Sequence, residues 1–280
     1  MRDISVQKIT DALVQLVHSA CLSLAPGVVD KLRQAELKEE NDTARFALKT
    51  LIDNAQLASS NAVPVCQDTG MAVVFAEIGQ DVRFVGGSFT DAVNEGVRRG
   101  YKEFYLRNSV LDPITRKNTG DNTPAIIHTS LVLGDKVKLT LLPKGFGSEN
   151  MSKLYMLTPA AGVAGVMDKV VEAVFSAGSN PCPPIVVGVG IGGTADYAML
   201  LAKKALLRDV GVASSDPQLA EMEQILLTRI NDLGIGAQGF GGKTTALEVR
   251  IEKHPTHIAA LPVGVAIQCN AHRVARTEVL

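Results

Sequence analysis

The chain has 280 residues, 46% hydrophobic and 20% charged, a composition that supports a substantial core and excludes a disordered or fibrous protein. Its 28 Lys and Arg balance 29 Asp and Glu to a net charge of −1, so no basic field attracts nucleic acid or an anionic membrane, and a small-molecule role is expected. No apolar run reaches the roughly 18 residues of a membrane span, and MRDISVQKITDALVQLVHSA is broken by polar residues where a signal peptide is continuous, so a cytoplasmic protein is expected.

Apolar positions Ile4, Ile9, Leu13, Leu16, Val17, Cys21 and Leu24 recur at helical spacing, and residues 27 to 57 continue that pattern with charges opposite. MAVVFAEIG and DVRFVGG read as short strands. SFTDAVNEGVRRGYKEFYLRN reads as a helix with Thr90 as N-cap, and PAIIHTSLVLGDKVKLTLLPKG as a hairpin turning at Gly134-Asp135. A loop, PKGFGSEN, follows. An alanine- and valine-rich helix runs from about Pro159 to Ala177, and SNPCPPIVVGVGIGGTADYAMLLAKKALL reads as loop, buried strand, glycine turn and helix. A further helix from Pro217 to Leu233 precedes two strand-like runs near the C-terminus. Strands and helices mix throughout without a Pro-, Gly- or Ser-rich linker or a repeat, which predicts one α/β domain over 1–280, with mixed sheets flanked by helices.

Two glycine patterns imitate phosphate sites. GVGIGG, Gly188 to Gly193, satisfies G-x-G-x-x-G between a strand and a helix, but long helices and an antiparallel pattern come before it, where a dinucleotide fold would open. GAQGFGGKTT fails the P-loop spacing because Ala237 stands where glycine is required. A tight glycine turn is the better expectation there.

Four cysteines occur, Cys21, Cys66, Cys182 and Cys269, too sparse for a disulfide scaffold. Cys21 lies on the apolar stripe of the first helix and reads as a core thiol. Cys66 follows Pro64, Cys182 is enclosed by Pro181 and Pro183, and Cys269 closes an apolar strand. Proline fixes φ and removes a donor, so such loops present a side chain rigidly, which suits a metal ligand. No C-x-x-C pair exists, which argues against a zinc knuckle.

PVCQDTG, CPPIVVGVGIGGTA, GAQGFGGKTTALEV and HIAALPVGVAIQCNAHR, in that order, resemble the N-terminal or α-subunit portion of the class I iron-sulfur hydro-lyases, the class I fumarases and L-tartrate dehydratases. YLRNSVLDPITRKNTGDNTPA and PKGFGSEN fit the same family, so the resemblance spans about residues 10 to 275 and implies that family's N-terminal-domain fold. It implies that Cys66, Cys182 and Cys269 hold a [4Fe-4S] cluster, whose fourth iron lacks a protein ligand and acts as a Lewis acid without redox change. It implies the trans hydration of fumarate to L-malate, or alternatively the dehydration of L(+)-tartrate to oxaloacetate, with fumarate the favoured substrate. Asp68 is then the catalytic proton carrier at the substrate hydroxyl, and Gln67, Arg107, His257 and the backbone at Gly147 bind substrate.

Each residue also has a plainer reading: Asp68 as a turn former, Arg107 as a charge at a helix end, His257 as a satisfied strand histidine. Single-chain members are about twice this length and carry a threonine base and further cations in a C-terminal domain. The resemblance therefore implies a β subunit that completes the site, in an α2β2 hetero-oligomer. Two rival functions remain open: a non-catalytic iron-sulfur or redox-sensing subunit, and a nucleotide-binding regulator built on GVGIGG.

Overall fold

The computed structural model describes residues 1–280 as an α/β protein with mixed sheets flanked by helices. In chain order the elements are β1 (Arg2–Ser5), α1 (Val6–Leu22), α2 (Val28–Lys38), α3 (Asp42–Asn61), β2 (Met71–Gly79), β3 (Val82–Val85) and α4 (Phe89–Glu103). Then come β4 (Ile126–Val132), β5 (Val137–Lys144), α5 (Phe146–Glu149), β6 (Lys153–Leu157), α6 (Gly162–Ala177), β7 (Ile185–Gly193) and α7 (Ala195–Ala205). The chain finishes with α8 (Pro217–Asn231), β8 (Ala246–Thr256), β9 (Leu261–Gln268) and β10 (Ala275–Val279). No helix is long and apolar enough to cross a membrane. The residues form two compact units, one of 1–25, 55–146 and 273–280, the other of 26–54 and 147–272.

In the first unit a sheet ordered β10-β5-β2-β4 lies against α1 and α4. Alternate residues Ala72, Val74 and Ala76 of β2 and Val137, Leu139 and Leu141 of β5 meet Ile9, Leu13 and Val17 of α1 and Val93 and Val97 of α4. β4 and β5 do not form the expected hairpin. β2 lies between them, parallel to β4 and antiparallel to β5. The reason is burial: β2 has apolar residues on both faces and takes the centre, while β4 is exposed along most of its length. Ser88 replaces Thr90 as N-cap of α4, its hydroxyl accepting from the Asp91 N–H, because the helix starts one residue before Thr90. The first residues, expected as helix, are a strand in which Ile4 is buried and pairs with Phe84 of β3.

In the second unit the sheet is ordered β6-β9-β7-β8, with β7 parallel to β8 and antiparallel to β9. Val187, Val189, Val249, Ile251, Val263 and Val265 pack on Val170 of α6 and Leu226 of α8. On the opposite face Gly188, Gly190 and Gly264 leave a strip without side chains. A Cβ at Gly190 would stand 2.1 Å from the Ala198 carbonyl oxygen, and one at Gly188 would stand 2.2 Å from that of Ala202. GVGIGG thus lets α7 lie directly on the sheet. The glycines belong to the strand, where a turn was expected.

The other glycine pattern is filled by the chain itself. The expected helical stretch from residue 27 breaks at Glu39, whose carboxylate accepts from the N–H groups of Glu40 at 3.0 Å, Asn41 at 3.1 Å and Lys243 at 2.8 Å. A Cβ at Gly242 would come within 2.6 Å of both Glu39 oxygens. Lys243 pairs with Glu40, and Asn41 caps α3 through the N–H groups of Thr43 and Ala44. A carboxylate occupies the place where a phosphate would sit.

Replacing Gly190 by alanine is expected to destabilise the chain by about 2–3 kcal/mol, because the clash is with backbone that cannot rotate away. Urea unfolding measures this; a loss under about 0.5 kcal/mol would mean that α7 shifts at no cost.

Candidate active site

In the first unit the loop after α3 carries Cys66, Gln67 and Asp68. Val65 is buried and its N–H donates to the Cys21 carbonyl at 3.1 Å, which anchors the loop to α1. Cys66 beyond it is partly exposed, with Sγ 3.5 Å from Gln67 Oε1. Asp68 is half-buried, and both its oxygens accept from main chain: Oδ1 from the Gly70 N–H at 3.0 Å, Oδ2 from the Phe146 N–H at 2.9 Å. Each oxygen keeps a lone pair for another partner.

Thr69, 2% exposed, ties this loop to the one bearing Arg107. Its hydroxyl accepts from the Arg107 N–H at 3.1 Å and donates to the Arg107 carbonyl at 3.2 Å. Tyr101 donates to the carbonyls of Thr69 and Gly70, at 2.9 and 3.0 Å, and burial pushes its hydroxyl well above the ordinary phenol range, so it stays a neutral donor. Asn122, fully buried and in the left-handed region, donates to the Gly70 carbonyl and accepts from the N–H groups of Ser109 and Val110. The Arg107 side chain projects into solvent from this clamp, in a loop beyond α4 and not at the helix end. A cation there can meet a carboxylate with two donors at once.

In the second unit Cys182 is exposed between buried Pro181, Pro183 and Pro184. Its φ of +55° is one that non-glycine residues seldom adopt. Bonds on both sides hold it there. The Cys182 carbonyl accepts from Asn270 twice, from N–H at 3.2 Å and from Nδ2 at 2.7 Å, and the Pro183 carbonyl accepts twice from Gln238. Asn270 directly follows Cys269, so the two cysteine segments are tied together, one just before β7 and the other just after its partner β9. Gly147 lies beside the first of them: a Cβ on it would lie 3.4 Å from the carbonyl oxygen of Asn180, which itself stands 3.9 Å from Cys182 Sγ.

His257 stands elsewhere in this unit. It lies in the β8–β9 connection, exposed, with Nδ1 accepting from the Ala259 N–H at 3.2 Å. The eight residues of β9, at about 3.3 Å each, separate it from Cys269 by about 25 Å. There it borders a largely apolar cavity of about 420 Å³ with Val163, Ile191, Leu219 and Met222.

Sequence reasoning missed Thr69, Tyr101, Asn122, Asn270 and Gln238, none of which carries a reactive group. Asn270 had a signal in its place beside a cysteine; the others are recognised only from their hydrogen bonds.

None of the four cysteines forms a disulfide, and within neither unit do three His, Cys, Asp or Glu side chains form a set that could hold a metal ion. Cys21 differs from the other three. It is fully buried and burial pushes its thiol up to about 11.

Residues 10–278 match the family model described as Fumarate hydratase (Fumerase), and the chain belongs to that family. It is thereby a hydro-lyase. Over 272 residues it is 44% identical to a candidate L(+)-tartrate dehydratase subunit alpha of Methanocaldococcus jannaschii, covering 95% of each chain. It is 30% identical to the L(+)-tartrate dehydratase subunit alpha of Escherichia coli K12 and, equally, to that of Shigella sonnei, over 96% of this chain and 90% of each relative.

Alkylation of the metal-free chain by iodoacetamide at pH 8 is expected to label Cys66, Cys182 and Cys269 and spare Cys21. A thiol of pKa about 11 is roughly 0.1% thiolate at that pH, and the thiolate is the nucleophile. Peptide mass spectrometry reads the outcome; labelling of Cys21 at the rate of the others would overturn the distinction.

Proposed function

We propose that this chain is the α subunit of a two-subunit [4Fe-4S] hydro-lyase that removes water from L(+)-tartrate to give oxaloacetate. The observation that carries the reading is the match to α subunits named for L(+)-tartrate dehydratase over nine-tenths or more of their length. That moves tartrate ahead of fumarate, the substrate favoured from sequence alone. Fumarate hydration to malate is the second reading, supported by the description of the family model.

The donor chemistry fits a cluster. Cys66, Cys182 and Cys269 are thiols outside the core at the ends of elements, two of them tied by Asn270, whereas Cys21 is sealed in the core as an inert thiol. They would hold the cluster, which when bound supplies a Lewis acid for the substrate's hydroxyl and carboxylate. Asp68, with each oxygen fixed by one main-chain donor, takes or gives the proton at the substrate hydroxyl. Arg107 pairs with a substrate carboxylate, Gln67 beside Asp68 contacts the substrate, and the backbone at Gly147 donates a hydrogen bond.

A β subunit supplies the base at carbon and the remaining cations. His257, the length of β9 away from Cys269, reaches a substrate held near Cys269 only from a second copy of the chain, in keeping with an α2β2 assembly.

The test is iron and acid-labile sulfide per αβ pair after anaerobic reconstitution, with kcat/KM on tartrate and fumarate. About four irons are expected, lost in Ser variants of Cys66, Cys182 and Cys269 and kept in Cys21→Ser. Asp68→Asn is expected to keep the iron and lower kcat by about 10²–10⁴. Iron binding that depends equally on Cys21 would refute the ligand set, and kcat/KM higher for fumarate would reverse the order of substrates.

A further inference from the structure

Behind Asp68 lies a charge that the proposed reaction does not use. Arg273, 1% exposed, belongs to the last segment of the first unit. A guanidinium is always ionised in a protein, and a buried cation needs opposite charge or oriented dipoles close by. A Cβ built on Gly145 falls 3.1 Å from Asp68 Oδ2 and 3.6 Å from Arg273 Nη2. The carboxylate and the guanidinium therefore both border the space that a side chain at position 145 would fill. Gly145 is buried and is not among the glycines with positive φ, so space and not backbone conformation calls for glycine there.

The surroundings bear on the same point. The N–H of the next residue, Phe146, is the one that donates to Asp68 Oδ2. Lys144, also 1% exposed, turns Nζ to the Gly145 carbonyl at 3.4 Å. Burial is the main cause of the high-lying Tyr101 hydroxyl, but the charges of Arg273 and Asp68 also act on it, in opposite directions. Both charges therefore lie within reach of the phenol that holds the Asp68 loop.

We infer that Arg273 is a positioning residue for Asp68 and that Gly145 is glycine so that the two can face each other, the guanidinium holding Oδ2 against the Phe146 N–H. The inference rests on Asp68 being the proton carrier and deepens that reading. With Oδ2 drawn back, the carboxylate keeps one orientation toward a substrate hydroxyl, and orientation of a catalytic group is a large part of its rate effect.

The test is a mutant cycle in the αβ holoenzyme. Gly145→Ala places a methyl group against both charges, and Arg273→Lys keeps the charge without the fork. Each is expected to lower kcat at least about tenfold with KM little changed, and Arg273→Met more than Arg273→Lys. In an Asp68→Asn background neither Gly145→Ala nor Arg273→Lys should cost a further factor, since their effect passes through Asp68. Losses that multiply in that background, or an unchanged kcat in Gly145→Ala, would overturn the inference. A second readout does not depend on turnover: hydrogen exchange of the Phe146 amide in the full chain should quicken in Asp68→Asn, Gly145→Ala and Arg273→Lys alike. Unchanged exchange in the latter two would also overturn it. If Arg273→Met does not fold, Gly145→Ala still decides. A wild-type complex inert toward tartrate and fumarate would sink the proposed function, while Phe146 exchange would still judge the seat of Asp68.

Discussion

The hydroxyl of Thr69 makes two hydrogen bonds to one residue, accepting from the N–H of Arg107 and donating to its carbonyl. Most of the arrangement in the first unit depends on that exchange. It joins two loops 38 residues apart in sequence, and neither has a helix or a strand to fix it. Tyr101 and Asn122 then bind the carbonyls of Thr69 and Gly70 on one side of the join, and Asn122 accepts from N–H groups on the other, so buried polar groups are satisfied while Asp68 and Arg107 are left outward. A hydroxyl, a phenol and an amide, all uncharged, hold the ionic groups to which the proposed function assigns the chemistry. The second unit uses a similar device: the Asn270 amide and the Gln238 amide grip the carbonyls of Cys182 and Pro183, so an exposed thiol rests on main-chain bonds.

The two phosphate-like patterns show why a glycine motif is weak evidence by itself. A glycine permits close approach of whatever comes next to it. For Gly188 and Gly190 the visitor is the backbone of α7, and for Gly242 it is the carboxylate of Glu39. Local sequence cannot tell these visitors from a pyrophosphate, because the requirement on the glycine is the same in each case.

What was legible in the sequence follows the same division. Long periodic segments such as α1, α6 and α8 were visible because their apolar spacing is local. The cysteines with proline neighbours stood out because proline acts on adjacent backbone. Strand partners were not legible: Gly134-Asp135 looks like a hairpin turn, and only the apolar residues on both faces of β2 explain why it separates β4 from β5. The short strands β6 and β10 went unnoticed, since five residues carry little pattern. For the candidate site, residues with reactive groups could be proposed from motifs, but the groups that hold their loops are ordinary polar side chains whose importance comes from contacts across tens of residues. The position of His257 at the far end of β9 likewise depends on the strand running straight, which a motif does not encode.

The course of the chain bears on how the protein is made. β10 pairs with β5, and its Val279 belongs to the core built on α1 and α4, yet it is synthesised after the whole of residues 147–272. Until it emerges, β5 presents an unpaired edge beside an unfilled core while the other unit already has its strands and helices. Long-range closure of this kind slows folding and leaves a sticky edge exposed on the ribosome. The segment that closes the first unit also carries Arg273, only four residues beyond Cys269, so the last strand to arrive brings with it the charge that backs Asp68.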